Sequence, residues 1–163
     1  LHDFNHLPHE QALALIHPCV ALSCWADALV HGRPYASRDE LFSTAKSLMQ
    51  NWDEAALAQA LSAHPRIGEK PAGSAAEAAL SRQEQGAVND RDAALARALR
   101  EGNARYEARF GRVFLIRAKG RSGEEILQAL HARLENSDAQ EIRAALEQLR
   151  EITLLRLEGV ISE

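Results

Sequence analysis

Val113-Phe114-Leu115-Ile116 is the one run in this chain with strand-like composition, and its isolation decides the fold class. A lone run of four residues cannot build a sheet, because sheets need several paired strands of similar length. The expectation is a buried extended connector inside an otherwise helical protein.

Working outward from that run, every neighbouring segment reads as helix. Upstream, 91–109 forms one long helical pattern that stops at Phe110-Gly111. Downstream, Ser122-x-x-Glu125 is a capping box opening a helix to Leu134, and Ser137-x-x-Gln140 opens a last helix reaching about Glu158. Towards the N-terminus, Pro8 suits a first helical turn, and Pro18 opens a helix over 19–31 that Gly32 can close from beyond the C-cap. Arg33-Pro34-Tyr35 is a connector. Ser37-x-x-Glu40 and Asn51-x-x-Glu54 each open a helix, and Ser74-x-x-Glu77 starts an alanine-rich one that carries Ser81, Glu84 and Gln85. There is no internal repeat and no linker long enough to divide the chain. The expected architecture is all-α: a compact single domain over 1–163 with about eight helices in an irregular bundle.

Composition narrows the function classes. The 163 residues carry 46% hydrophobic and 26% charged side chains with a net charge of −4, which argues against a nucleic-acid footprint. No apolar run approaches the roughly 18 residues of a membrane span. Cys19 and Cys24, five apart on one expected helix, match neither a disulfide framework nor C-x-x-C, and read as core thiols of a reducing cytosol. The chain starts at Leu1 without methionine, which suggests a trimmed residue or short missing segment, and its first residues show no secretory apolar core. His2, His6 and His9 lack H-E-x-x-H spacing, lie at a terminus expected to fray, and suggest no metal site.

Three places carry possible chemistry. In Ala63-His64-Pro65-Arg66-Ile67-Gly68-Glu69 the proline drives His64 out of helical geometry, which holds an imidazole in extended backbone beyond a helix end. Histidine titrates near working pH, so this is a candidate proton-transfer group. The pair His17-Pro18 has the same local chemistry and reads as punctuation between helices. Ser81, Glu84 and Gln85 share a helix face marked as partly apolar by Leu80 and Val88. Periodicity alone favours a solvated Glu84 over a buried, pKa-raised one. Arg156 falls in register with Ile142 and Leu149 on the apolar stripe of the last helix. An arginine there is half of an ion pair, a side chain snorkelling near the helix end, or a guanidinium fork for an anionic or carbonyl-rich ligand, and these readings stay open. Asn103 and Tyr106 read as helix-end packing and hydrogen bonding.

Taken together, His64-Pro65-Arg66-Ile67-Gly68, Ser81-x-x-Glu84-Gln85 and Asn103-x-x-Tyr106-x-x-x-Phe110-Gly111-x-x-Phe114 resemble the OHCU decarboxylase family of the urate-to-allantoin pathway. Phe4-Asn5, Cys24-Trp25, Arg33-Pro34-Tyr35 with Ser37, and Arg156-Leu157 extend the resemblance over nearly the whole chain. That family is all-helical, cofactor-free and usually dimeric, and acts on 2-oxo-4-hydroxy-4-carboxy-5-ureidoimidazoline (OHCU). The resemblance implies His64 as the essential acid/base with Glu84 beside it, and Pro65, Ser81 and Gln85 lining the pocket. It also implies Arg156 on the substrate, with backbone from Phe114, Leu115 and Ile116 binding the ureido or ring groups. The ending Ile161-Ser162-Glu163 differs from the peroxisomal tripeptide of some eukaryotic members, and a cytoplasmic location is expected; the resemblance implies a homodimer, and the composition predicts no membrane or nucleic-acid partner. The competing readings are a non-catalytic helical interaction module and a hydrolase of a related ureido ring.

Overall fold

A computed structural model describes residues 1–62 and 93–161, and all of the regular structure among these residues is helical. The α-helices are α1 (His2–His6), α2 (His9–Ile16), α3 (Ser23–His31), α4 (Arg38–Met49), α5 (Glu54–Leu61), α6 (Ala93–Phe110), α7 (Gly123–Arg133) and α8 (Asp138–Val160). A short 3-10 turn, η1 (His17–Cys19), lies between α2 and α3. The expected helix at 74–88 lies outside the described residues.

Local chemistry accounts for most of the boundaries. Both serine boxes of the C-terminal half form in full: Ser122 with Glu125, and Ser137 with Gln140, exchange side-chain and backbone hydrogen bonds at the starts of α7 and α8. At α4 only half of the box forms. Ser37 accepts from the Glu40 amide, while the Glu40 carboxylate turns back to the Ala36 N–H at 2.9 Å. The start of α5 is not Asn51 as expected but Asp53, whose carboxylate accepts from the Ala56 N–H at 3.0 Å. Aspartate directly before the first helical residue outcompetes an asparagine two positions earlier.

The helix expected over 19–31 breaks. Val20 and Leu22 are extended, and α3 starts only at Ser23. This separates the two cysteines: Cys19 is buried, but Cys24 is exposed and is no core thiol. Gly32 ends α3 with an ordinary φ of −76°. Its lack of a side chain serves closeness instead, because a Cβ there would stand 2.4 Å from the Tyr35 hydroxyl, which donates to the Leu29 carbonyl at 2.6 Å.

Nor is the N-terminus frayed. Phe4 is 1% exposed, and Asn5 pairs with both backbone groups of Tyr35, accepting from its N–H at 2.9 Å and donating to its carbonyl at 3.0 Å. Arg33 returns the contact by donating from Nη1 to the carbonyls of Phe4 (2.8 Å) and Leu7 (2.7 Å). The paired motifs Phe4-Asn5 and Arg33-Pro34-Tyr35 are therefore two halves of one clamp.

Two apolar cores result. The larger gathers α1 to α5 and η1 against α8, with Leu29, Leu41, Leu57 and Leu149 fully buried and Trp25 tied to the Ala45 carbonyl at 3.2 Å. The smaller lies between α6 and α7 around Leu99, Tyr106, Phe110, Ile126 and Leu130. There α6 and α7 approach closely, since a Cβ on Gly102 would be 2.4 Å from a Leu130 methyl.

Candidate active site

The extended connector between α6 and α7 joins the two cores. Gly111 and Gly120, at φ +72° and +84°, bracket it in the left-handed region that glycine enters without steric cost. Between them the side chains alternate as in a strand. Phe114 and Ile116 enter the smaller core, and Leu115, between them, enters the larger one, to which α8 contributes Leu149, Ile152 and Leu157. All three are at most 4% exposed.

A buried extended segment without a ladder partner must find its hydrogen bonds elsewhere. Two side-chain groups supply some of them. The Leu115 carbonyl accepts from Arg133 Nη1 at 2.6 Å, and the Arg117 N–H donates to Gln148 Oε1 at 2.9 Å. Gln148 in turn donates to Glu151, whose other oxygen holds Arg117 Nε at 3.1 Å, so the connector is pinned to α8. Among the described residues, no hydrogen bond reaches the amide N–H of Phe114, Leu115 or Ile116.

Behind the connector lies a charge that sequence reading passed over. Glu141 is fully buried on α8 and accepts from Arg133 Nε at 3.0 and 3.1 Å, from Arg133 Nη2 at 2.5 Å, from Asn136 Nδ2 at 3.1 Å and from the Tyr106 hydroxyl. The Tyr106 hydroxyl is pushed well above the ordinary phenol range, first by burial and then by its bond to Glu141. The Arg133 guanidinium also lies over the Phe114 ring, 4.6 Å from its centroid, and the rings of Phe110 and Phe114 flank Tyr106. Tyr106 thus serves packing and hydrogen bonding, as expected. Arg133 and Glu141 look in sequence like ordinary helix-end charges that complement the dipoles of α7 and α8. The available signal was register, because Glu141 continues the buried series Ala145, Leu149, Ile152 and Arg156.

Arg156 lies where its register put it, 2% exposed, with Nη1 donating to the Pro18 carbonyl of η1 at 3.3 Å. Its neighbour Leu157 shares the larger core with Leu115, so the connector and the guanidinium-bearing stretch of α8 border one apolar body. His64, Pro65, Ser81, Glu84 and Gln85 lie outside the described residues. An open cleft of about 310 Å³ lies between α1, α2 and α3, lined by Asn5, His9, Val30, His31, Arg33 and Pro34. None of the expected site residues lines it, and its Asn5 and Arg33 are committed to the clamp around Phe4 and Tyr35.

Comparison with known proteins then decides the family, since the OHCU decarboxylase family model matches residues 5–158. The chain belongs to the OHCU decarboxylase family. This is a carboxy-lyase family. A relative from Amia calva, named 2-oxo-4-hydroxy-4-carboxy-5-ureidoimidazoline decarboxylase, is 33% identical over 146 residues, covering 88% of this chain and 81% of its own length. An Arabidopsis thaliana protein named uric acid degradation bifunctional protein TTL is 31% identical over 150 residues, and the chain spans 46% of it. A solved structure described as OHCU decarboxylase in the presence of (S)-allantoin superposes with a TM-score of 0.76 at 27% identity, over 96% of this chain and all of the other. The OHCU decarboxylase fold of that structure matches the all-helical arrangement described above.

Proposed function

We propose that this chain decarboxylates OHCU to (S)-allantoin without a cofactor, as one domain over 1–163 and as a cytoplasmic homodimer. The observation that carries the reading is a family match over residues 5–158, joined to a buried connector whose amides at 114–116 meet no acceptor among the described residues. OHCU offers oxygens of that kind on its ring and ureido groups.

The chemistry asks little of the protein beyond placement. The bond from the ring carbon to the carboxylate breaks, CO₂ leaves, and the electron pair forms a ring C=C while the former C=N pair moves to the ring nitrogen, which takes a proton from solvent. The 4-hydroxyl then gives up its proton to become the ring carbonyl, and a proton is delivered to the ureido-bearing carbon. In this reading His64 and Glu84 move the two protons, a role for which general acid–base catalysis contributes about 10²–10⁴-fold. Pro65, Ser81 and Gln85 line the pocket, Arg156 holds an anionic or carbonyl oxygen, and backbone at Phe114, Leu115 and Ile116 binds the ureido or ring groups. Fixing these groups in one geometry supplies the orientation contribution.

Freshly generated OHCU, followed by circular dichroism against the spontaneous background, tests the reading. The expected outcome is one allantoin enantiomer at an accelerated rate, unchanged by exhaustive EDTA. A racemate formed at the enzymatic rate would refute directed proton delivery, and a loss restored by a divalent ion would refute cofactor-free turnover.

A further inference from the structure

The ion pair behind the connector does more than fill space. Arg133 spends Nε and Nη2 on the Glu141 carboxylate, which leaves Nη1 aimed at a single atom, the Leu115 carbonyl oxygen, at 2.6 Å. The pair is held from every side: Asn136 and Tyr106 occupy the remaining positions on Glu141, and Phe114 lies under the guanidinium. With its side chain 11% exposed against a carboxylate at 0%, the Arg133 fork is fixed both in place and in direction. The peptide it grips joins Leu115 to Ile116, and the N–H at the other end of that peptide has no acceptor among the described residues. A cation on the carbonyl end of a peptide strengthens the donor at the amide end, because hydrogen bonds in series polarise one another.

We propose that Arg133, locked by Glu141, is a positioning residue of the active site: it fixes the Leu115–Ile116 peptide and strengthens the Ile116 N–H as a donor to a carbonyl oxygen of the substrate. The inference rests on the decarboxylase reading above. It assigns catalytic weight to two residues of α7 and α8 that touch no reacting atom.

The test must separate positioning from mere stability. Replacing Arg133 alone with an apolar residue would strand the buried Glu141 charge, so the first variant is the double substitution Arg133→Met with Glu141→Gln. It removes both charges and keeps an acceptor for Tyr106 and Asn136. The second is Arg133→Lys, which keeps a cation opposite Glu141 but has no rigid fork to span from it to Leu115. A comparison variant, Leu41→Ala, truncates a fully buried side chain of α4, a helix that contributes no residue to the Arg133–Glu141 pair or its partners. Kinetic constants for OHCU are read alongside Tm for all three and for the parent. The expected result is a 10–100-fold fall, roughly, in kcat/KM for both Arg133 variants, of the size small misplacements produce, with a normal helical spectrum. Leu41→Ala should lose Tm and keep parental kcat and KM. A folded Arg133 variant with parental kinetics overturns the proposal. So does failure of both Arg133 variants to fold, which would make the pair structural only. Equal kinetic loss in Leu41→Ala at matched Tm overturns it as well. If the parent itself fails to accelerate OHCU decay, the decarboxylase reading falls first, and that outcome is seen before any variant is compared.

Discussion

Arg156 and Pro18 meet in the protein interior although 138 positions separate them, with Nη1 of the guanidinium donating to the proline carbonyl at 3.3 Å. The contact ties the last helix to the 3-10 turn that interrupts the chain between α2 and α3. A guanidinium has five donors, and a neutral carbonyl at that distance engages one of them weakly.

Arg156→Met keeps most of the apolar stem on the stripe formed with Ile142 and Leu149 while removing the charge. The Pro18 hydrogen bond lost with the charge is worth about 1 kcal/mol. The expected variant has a Tm close to the parent and a severe loss of decarboxylation. A loss of roughly 3–5 kcal/mol with parental kinetics would instead mark Arg156 as half of a structural ion pair.

His64→Ala should abolish turnover with the helical spectrum unchanged, since proton transfer is assigned to that imidazole. Glu84→Gln keeps shape and hydrogen-bonding reach but cannot exchange a proton, so it should damage kcat more than Tm. Steady-state kinetics beside thermal melts decide both. Near-parental turnover in correctly folded Glu84→Gln would return Glu84 to a solvated helix face.

Tyr106 gives the fold an alkaline limit. Its proton is held more tightly in the folded chain than in the unfolded one, because burial and the Glu141 bond both raise its pKa. That stabilisation is complete below about pH 10, where an unfolded tyrosine begins to ionise, and is lost as pH rises further. Tyr35 is shifted in the same direction by burial and by Glu40, against Arg33, and adds to the decline. Tyr106→Phe should cost about 1.5–3 kcal/mol at neutral pH, the worth of a hydrogen bond to a charged group. It should also flatten the fall in stability above pH 10, as read from urea midpoints across pH.

Gly111→Ala isolates a backbone effect. A Cβ there meets nothing within 4 Å, so the cost comes from φ +72° alone, on the order of 1–2 kcal/mol. Gly159→Ala, with equally open space inside α8, should be neutral or stabilising by up to about 1 kcal/mol. Opposite signs in paired denaturation curves would confirm that the left-handed turn, and not helix propensity, selects glycine at the start of the connector.

Features of the candidate site were unequally legible in the sequence. The extended connector was visible because four consecutive apolar, β-branched and aromatic residues between helical patterns leave few alternatives. Arg156 was visible because a charge in an apolar register is anomalous. Arg133 and Glu141 were hidden, since each sits at a helix end where its sign is unremarkable, and only the packing of α7 and α8 pairs them and sets Arg133 on the Leu115 carbonyl.

The amino-acid sequence by itself determined the all-helical class, the serine caps at Ser122 and Ser137, the glycine stop after Phe110, and the burial of Phe114, Leu115 and Ile116. Each of these depends on interactions spanning at most a few residues, or on periodicity along one element, and such information is local. Tertiary structure alone decided that Asn5 clamps Tyr35, that Cys24 faces solvent, that Arg156 reaches Pro18, and that a buried carboxylate aims Arg133 at Leu115. These pairings join residues from 8 to 138 positions apart, and nothing in either partner's neighbourhood names the other until packing has placed the helices.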